Sequence, residues 1–172
     1  MIHRRTLLAL AVAMPFTSTS SLARPATART PEALIDWIYK EAIKPESKTI
    51  KGPQGGGFLF EEGEMKASFS RAFHAAYVKA HAEAKEEDGP IIGFDPVTNS
   101  QDPDFARFRV ELEKGDDKTA VFAVSLWTKK GRKPYTTVRY DMVLEGGIWK
   151  IDDIRGSVEN EPWSIRELVK TP

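Results

Sequence analysis

The sequence predicts an α+β fold: two N-terminal helices packed on a curved antiparallel sheet of about four strands, then a short C-terminal helix. Apolar residues recur at helical spacing before residue 86, and from residue 107 onwards they alternate with polar residues. Turns containing glycine separate the alternating segments. Helices followed by a run of strands are typical of α+β domains. A sheet curved around a long helix is expected to leave a cavity at its open end.

The N-terminal segment has the order of a secretory signal peptide: a basic start, an apolar run, and a small hydroxyl-rich stretch that leads to Ala23. The apolar run is far shorter than the about 20 residues that a membrane-spanning helix needs. We therefore expect a cleaved signal over residues 1–23, with cleavage after Ala28 as the alternative. The remaining single domain, residues 30–172, is expected in the periplasm or outside the cell, with no membrane insertion.

The export route is left open by the first residues. Arg4 and Arg5, followed by Thr6 and two leucines, resemble a twin-arginine signal. An ordinary Sec signal that starts with two arginines fits equally well.

The composition excludes several classes of function. The chain carries 25 basic and 25 acidic residues, and loss of Arg4 and Arg5 leaves 23 against 25, a net charge of minus two. This balance gives no basic excess for nucleic acid. The absence of cysteine excludes disulfides, thiolate metal sites, a cysteine nucleophile and a lipid-bearing N-terminal cysteine.

Two helices are predicted in the N-terminal half. Thr30 and Pro31 have the N-cap and first-turn chemistry of a helix start, and Pro45 ends the first helix. The second helix is predicted over residues 64–85 because an apolar stripe continues at helical spacing. The stripe consists of Met65, Phe69, Ala72, Phe73, Ala76, Tyr77 and Ala80.

Two loops flank the second helix. The glycine-rich loop 48–57 lacks the Gly-Lys-Ser/Thr ending of a phosphate-binding loop, since Phe58 follows it, so a flexible connector is favoured. The polar loop 91–104 precedes the predicted strands. Calcium favours oxygen ligands such as those of Asp95, Asn99, Asp102 and Asp104 in this loop, but the EF-hand spacing is absent. Turn capping by these side chains is favoured, with no metal and no cofactor.

Four strands are predicted from period-two alternation. They cover residues 107–112, 120–126, 137–144 and 148–154, separated by turns at Gly115–Asp117, Gly131–Pro134 and Gly146–Gly147. Ser164 and Glu167 have capping-box spacing, which predicts the short final helix.

Two stretches carry a resemblance to a known family. One is Gly93-Phe94-Asp95-Pro96 continuing to Asn99-Ser100-Gln101-Asp102; the other joins residues 140–145 to Trp149-Lys150-Ile151-Asp152-Asp153-Ile154. They resemble the bacterial domain-of-unknown-function family 3828 over essentially the whole mature chain. The resemblance implies a cone-shaped α+β fold similar to nuclear transport factor 2 and an exported protein, and no established activity. Relatives often carry a lipid-bearing cysteine, which this chain lacks.

Further candidate binding residues lie in the predicted sheet. Asp152 and Asp153 are adjacent on the last strand, so a regular strand points only one inward, where Tyr140 or Trp149 is expected nearby. An inward aspartate has the chemistry of a general base or a ligand hook. The alternative, which we favour, is that one aspartate pairs with Arg139 or Arg155 and the other faces solvent. The candidate site consists of Asp95, Asp102, Tyr140, Trp149, Asp152 and Asp153.

Other side chains give weaker indications. His74 and His81 are about 10 Å apart along a helix, too far for one metal ion. The aromatic residues of the strands and turns either line a pocket or belong to the core, and the core is favoured. These residues are Trp127, Tyr135, Tyr140, Trp149 and Trp163.

Three functions remain open from the sequence. The first is a non-enzymatic periplasmic module that binds a small molecule or a protein through the open end of its sheet. The second is a small lyase, isomerase or hydrolase that uses an inward aspartate. The third is an immunity-type inhibitor of a periplasmic toxin that inserts an exposed loop, such as residues 91–104, into its partner.

Overall fold

The structure, a computed structural model, describes residues 30–44, 56–84, 89–101 and 104–170. These residues form an α+β domain, which confirms the predicted fold class. Their antiparallel sheet has five strands, one more than predicted. The predicted signal peptide and both of its cleavage sites lie outside the described residues. Within the described ranges, no helix is both long enough and apolar enough to cross a membrane.

The first helix, α1, covers Pro31–Ala42 and begins as predicted. The Thr30 hydroxyl accepts a hydrogen bond from the backbone N–H of Ala33 at 3.2 Å. This bond satisfies one of the donors that every helix start leaves without an intrahelical partner. Leu34, Ile35 and Ile38 are fully buried and attach the helix to the sheet.

The predicted second helix, residues 64–85, is interrupted. A 3₁₀ turn covers Phe58–Phe60, α2 covers Glu62–Ser68 and α3 covers Arg71–Glu83. Between α2 and α3 the backbone of Phe69 is extended and pairs with Ile151, whose carbonyl accepts the N–H of Ser70 at 2.7 Å. A continuous helix was therefore the wrong prediction, because a backbone contact with the sheet outweighs the local helical pattern.

The strands form a simple meander in the order β1-β2-β3-β4-β5. They are β1 Arg107–Gly115, β2 Thr119–Trp127, β3 Thr136–Glu145, β4 Ile148–Val158 and β5 Glu161–Ser164. A short helix, α4, covers Ile165–Leu168, and the Ser164 hydroxyl accepts the N–H of Glu167 at 3.3 Å, as the capping box predicts. The two edges of the sheet are β1, which is long, and β5, which is short.

Two tight hairpins connect the last three strands. Gly146 and Gly147 both have positive φ angles, 58° and 79°, in the predicted turn between β3 and β4. Glu159 and Asn160 have φ angles of 52° and 73° in the turn that leads to β5. Two consecutive positive φ angles are the requirement of a type I′ hairpin turn, which normally selects Asn-Gly. The Glu-Asn sequence hides this turn, so the fifth strand was not predicted.

The core lies between the helices and one face of the sheet. That inner face of β2 and β3 consists of buried residues at alternate positions: Ala120, Phe122, Val124, Leu126, Val138, Tyr140 and Met142. On the outer face, small residues of β2 lie between charged residues of its neighbours, as where Ala123 stands beside Arg139. The outer face of β2 is itself buried, with Val121, Ala123 and Ser125 at most 9% exposed, and the ion pair between Arg139 of β3 and Glu113 of β1 crosses this strand. The apolar core is nevertheless confined to the inner face.

Candidate functional site

The predicted site residues lie in three separate places. Asp95 is in the loop before the sheet, Tyr140 is in the core on β3, and Asp152 and Asp153 are on β4. Trp149 is the second residue of β4, opposite Leu144, where it is half-buried against the core. Asp102 lies outside the described residues. The five described residues therefore do not form one pocket.

The Asp95 carboxylate closes its own loop. One oxygen accepts the N–H of Val97 at 2.9 Å, and the other accepts the hydroxyl of Thr98 at 2.9 Å. Desolvation raises the pKa of Asp95 to about 6, although these hydrogen bonds oppose the rise. Gly57 packs against the carboxylate so closely that an added Cβ would lie 3.1 Å from its oxygen. The turn-capping interpretation of Asp95 fits this geometry.

Asn99 ties the same loop to three strands. Its amide nitrogen donates to the Thr136 hydroxyl at 2.8 Å and to the Ser157 carbonyl at 2.9 Å. Its amide oxygen accepts the indole N–H of Trp163 at 2.8 Å. Asn99 also has a φ of 53°, a left-handed conformation that asparagine tolerates better than most residues. Both ends of the amide are therefore used for structure.

Metal chemistry finds no support in the described part of the chain. No group of three or more histidine, aspartate or glutamate side chains there is placed to hold an ion. His81 lies beside Tyr77, with 6.0 Å between the ring centroids. Gly56 and Gly57 are the only residues of the predicted glycine-rich loop that belong to the described ranges.

Tyr140 belongs to the core rather than to a binding pocket. It is fully buried, and its hydroxyl donates to the hydroxyl of Tyr39 at 3.2 Å, which donates to the Val97 carbonyl at 2.7 Å. Burial raises the pKa of both tyrosines. Sequence reasoning missed Tyr39, whose only signal was its place beside the apolar face of α1. The pair connects the core to the Asp95 loop.

The two aspartates of β4 lie at a β-bulge. Asp141 pairs with Asp153 and the next residue, Met142, pairs with Ile151, so Asp152 is the extra residue. A bulge breaks the alternation of faces, which the sequence prediction did not include. The side chain of Asp152 accepts the Ser70 hydroxyl at 2.7 Å.

Arg166 of α4 binds both aspartates. Its guanidinium forms an ion pair with the Asp152 carboxylate and donates to the Asp152 carbonyl at 2.8 Å. Its backbone N–H donates to Asp153 at 3.1 Å, and the Ser164 hydroxyl donates to the same carboxylate at 2.6 Å. Burial raises the pKa of Asp153. The two carboxylates thus join α3, β4 and α4.

The predicted arginine partners of these aspartates were wrong. Arg155 forms two hydrogen bonds with Asp141, at 2.7 and 2.8 Å, and Arg139 forms an ion pair with Glu113 at 3.0 Å. Both arginines find acidic partners on the outer face of the sheet. Arg155 of β4 pairs with the neighbouring strand β3, whereas Arg139 of β3 reaches across β2 to Glu113 of β1. Because Asp152 lies at the bulge and α4 packs beside it, Asp152 and Asp153 instead contact Arg166.

A groove that sequence reasoning missed opens at the other edge of the sheet. It has a volume of about 490 Å³ and lies between the first half of α1 and strand β1. Phe108 and Val110 form its apolar floor, and Thr30, Glu32 and Asp36 contribute polar groups. None of the predicted site residues lines it.

The floor of the groove continues into an exposed residue. Leu112 follows Phe108 and Val110 on the same face of β1 and is 61% exposed. The only signal in the sequence was the alternation itself, which does not tell whether a helix covers each apolar position. The α1–β1 groove and Leu112 together are called the β1 edge surface.

Comparison with known proteins identifies no relative. No family model, curated protein or solved structure matches this chain. The resemblance to the domain-of-unknown-function family 3828 therefore stays a prediction from the sequence.

Proposed function

We propose that this chain is an exported, non-enzymatic module that binds a protein partner through the β1 edge surface. The observation that carries the proposal is the exposed Leu112 on a strand edge that no other described strand covers, next to a groove with an apolar floor. Monomeric proteins rarely leave such an edge open, because it pairs readily with another chain. An N-terminal segment with signal-peptide order supports export to the periplasm.

A polypeptide partner is favoured over a small molecule. On an edge strand, the backbone N–H and C=O groups that do not bond to the neighbouring strand point outward, and an extended segment satisfies them. Among the described strands, β1 pairs only with β2. The groove beside α1 then receives side chains that alternate along the added strand.

The alternative enzymatic function receives less support. The hypothesis requires an aspartate that reaches a cavity, and the raised pKa of Asp153 agrees with part of it. The carboxylates of Asp95, Asp152 and Asp153 each have at least two hydrogen-bond donors from the chain itself. Groups engaged in this way are suited to holding elements together.

The inhibitor hypothesis is not favoured either. A loop that inserts into a partner needs an exposed apolar or charged tip. In loop 91–101 the side chains of Ile92, Val97 and Thr98 are about 1% exposed. The loop therefore faces this protein's own core.

We further propose that the domain adopts the cone-shaped architecture of nuclear transport factor 2 and belongs to family 3828. The order of elements supports this, since helices precede an antiparallel meander. The fifth strand and the interruption at Phe69 are features that the resemblance did not predict.

Photocrosslinking in the exporting bacterium tests the proposed function. A photoreactive phenylalanine analogue replaces Leu112 in one variant and Val78 of α3, which is 52% exposed, in the control. We expect a discrete adduct at position 112 and none at position 78. Absence of an adduct at 112, or equal adducts at both positions, contradicts the proposal.

A further inference from the structure

The outer face of β1 has a charge pattern that is complementary to itself. Arg107 and Arg109 precede Val110, and Glu111 and Glu113 follow it, with Phe108 and Leu112 between them. When two copies of this strand pair antiparallel about Val110, Arg109 faces Glu111 of the other copy and Arg107 faces Glu113. Each contact occurs twice, because the arrangement has twofold symmetry.

The apolar face of β1 is complementary in the same register. Pairing about Val110 places Leu112 of one copy opposite Phe108 of the other. Phe108 and Val110 form the floor of the groove, and Leu112 is the exposed residue just beyond it. The exposed side chain of each copy thus enters the groove of its partner.

We infer that the partner of the β1 edge surface is a second copy of this chain, which pairs antiparallel through β1 with Val110 at the centre. This inference rests on the proposed function, which assigns binding to that surface. The two five-stranded sheets then form one continuous sheet, and Leu112 of each copy is buried beside α1 of the other. In this register Val110 of one copy lies opposite Val110 of the other.

The local geometry of β1 allows this pairing. The strand is regular from Arg107 to Leu112, and its bulge comes only after Leu112. Arg109 already contacts Glu111 of its own strand at 2.9 Å, and Glu113 contacts Arg139. Glu113 lies in the bulge, whereas Arg109 and Glu111 lie in the regular part of the strand, so the Arg109–Glu111 pairs between copies contribute more than the outer Arg107–Glu113 pairs. A strand with charges of one sign would repel its own copy, whereas this strand does not.

Sedimentation velocity over a range of concentrations tests the inference on the exported, purified chain. We expect a dimer, and we expect Arg109→Glu to weaken it about tenfold, since two opposite-charge pairs become two like-charge pairs. The double variant R109E/E111R restores complementarity and should recover the dimer. A monomer at all concentrations, or no rescue by the double variant, overturns the inference. Circular dichroism verifies that each variant is folded.

Cysteine substitution tests the register independently. The chain contains no cysteine, so a single introduced thiol reports only on the contact between copies. Val110→Cys should give a disulfide-linked dimer on mild oxidation, because the two residues face each other on the twofold axis. Leu112→Cys should give much less, because Leu112 faces Phe108. Equal dimer yields from both variants contradict this register.

The mass of the photocrosslinked adduct separates this inference from the proposed function. An adduct of twice the chain's mass supports both. An adduct of another mass at position 112 retains the proposed function and overturns the inference. Absence of any adduct contradicts both.

Discussion

Loop 91–101 and the residues of α1 and the sheet that bind it, called here the loop end of the sheet, use their side chains in the opposite way to the β1 edge. At the loop end, the Asn99 amide makes three hydrogen bonds, and the Tyr140 hydroxyl donates a hydrogen bond to the Tyr39 hydroxyl. At the β1 edge, Leu112 is 61% exposed beside an open groove. The hydrogen-bonding side chains at the loop end thus hold the fold together, whereas the alternating apolar residues of β1 form the exposed surface.

The largest difference between the two regions is expected from Asn99→Ala. The substitution leaves the Trp163 indole N–H, the Thr136 hydroxyl and the Ser157 carbonyl without this partner, and it removes a residue that tolerates positive φ. We expect a loss of about 3 kcal/mol in the free energy of unfolding, measured by urea denaturation. Leu112→Ala is the matched control, with an expected loss below about 0.5 kcal/mol. Equal losses from the two variants would remove the contrast between the regions.

Asp95 makes the loop end sensitive to pH. Its pKa is about 6 in the folded chain and 3.8 in the reference state, so the folded state binds the proton more tightly. Stability from this group is therefore present at low pH and is lost as pH rises from about 4 through 6. Between pH 4 and pH 7, Asp95→Asn should gain on the order of 2 kcal/mol relative to the wild type.

Denaturation curves at each pH measure this effect. The matched control is Asp117→Asn, at an exposed turn position, which should follow the wild type throughout. A constant difference between Asp95→Asn and the wild type across this range would show that the Asp95 carboxyl is not desolvated.

Tyr39→Phe tests the hydroxyl pair that connects the core to the loop. The Tyr39 hydroxyl donates to the Val97 carbonyl and accepts from Tyr140, so its removal takes one hydrogen-bond partner from each of two buried groups. We expect a loss of about 1.5 kcal/mol, and a smaller loss for Tyr140→Phe, which removes one hydrogen bond. Thermal unfolding of the two variants in parallel gives the ranking. The reverse ranking would mean that the Tyr140 hydroxyl contributes more to the free energy of unfolding than the Tyr39 hydroxyl does.

The smallest effect on folding is expected from Leu112→Lys. Leu112→Lys should change the free energy of unfolding by less than about 0.5 kcal/mol, because the side chain is exposed within one chain. Phe108→Lys should cost much more, since Phe108 stacks on Tyr39 with 5.2 Å between the ring centroids. Both variants are compared by urea denaturation at a low protein concentration, where association contributes little. A large loss from Leu112→Lys would show that its face is covered.

Much of the fold follows from local signals. Thr30 and Ser164 predict helix starts because their hydroxyls bond within one turn, and Gly146-Gly147 predicts a hairpin because both residues adopt positive φ. The split at Phe69 and the strand after Asn160 do not follow, since the first depends on a distant backbone group and the second on an unusual turn sequence.

The candidate site was less predictable than the fold. The sequence correctly identified Asp95 as a turn-capping residue, because its partners lie two and three residues away. It assigned the wrong partners to Asp152 and Asp153, because a bulge reorients both and Arg166 approaches from a later helix. The β1 edge surface was missed because alternation marks an apolar face without telling what covers it.

The sequence by itself determined the order of the elements, the helix caps, the glycine turn and the one-sided sheet, since these depend on periodicity and on contacts within a few residues. Only the tertiary structure decided which polar groups meet across the chain and which apolar positions stay exposed. The physical reason is distance along the chain. Tyr39 and Tyr140, which form a hydrogen bond, are 101 residues apart, and the exposure of Leu112 depends on how far α1 extends over β1. Local propensity does not encode such long-range contacts, which form when the helices pack on the sheet.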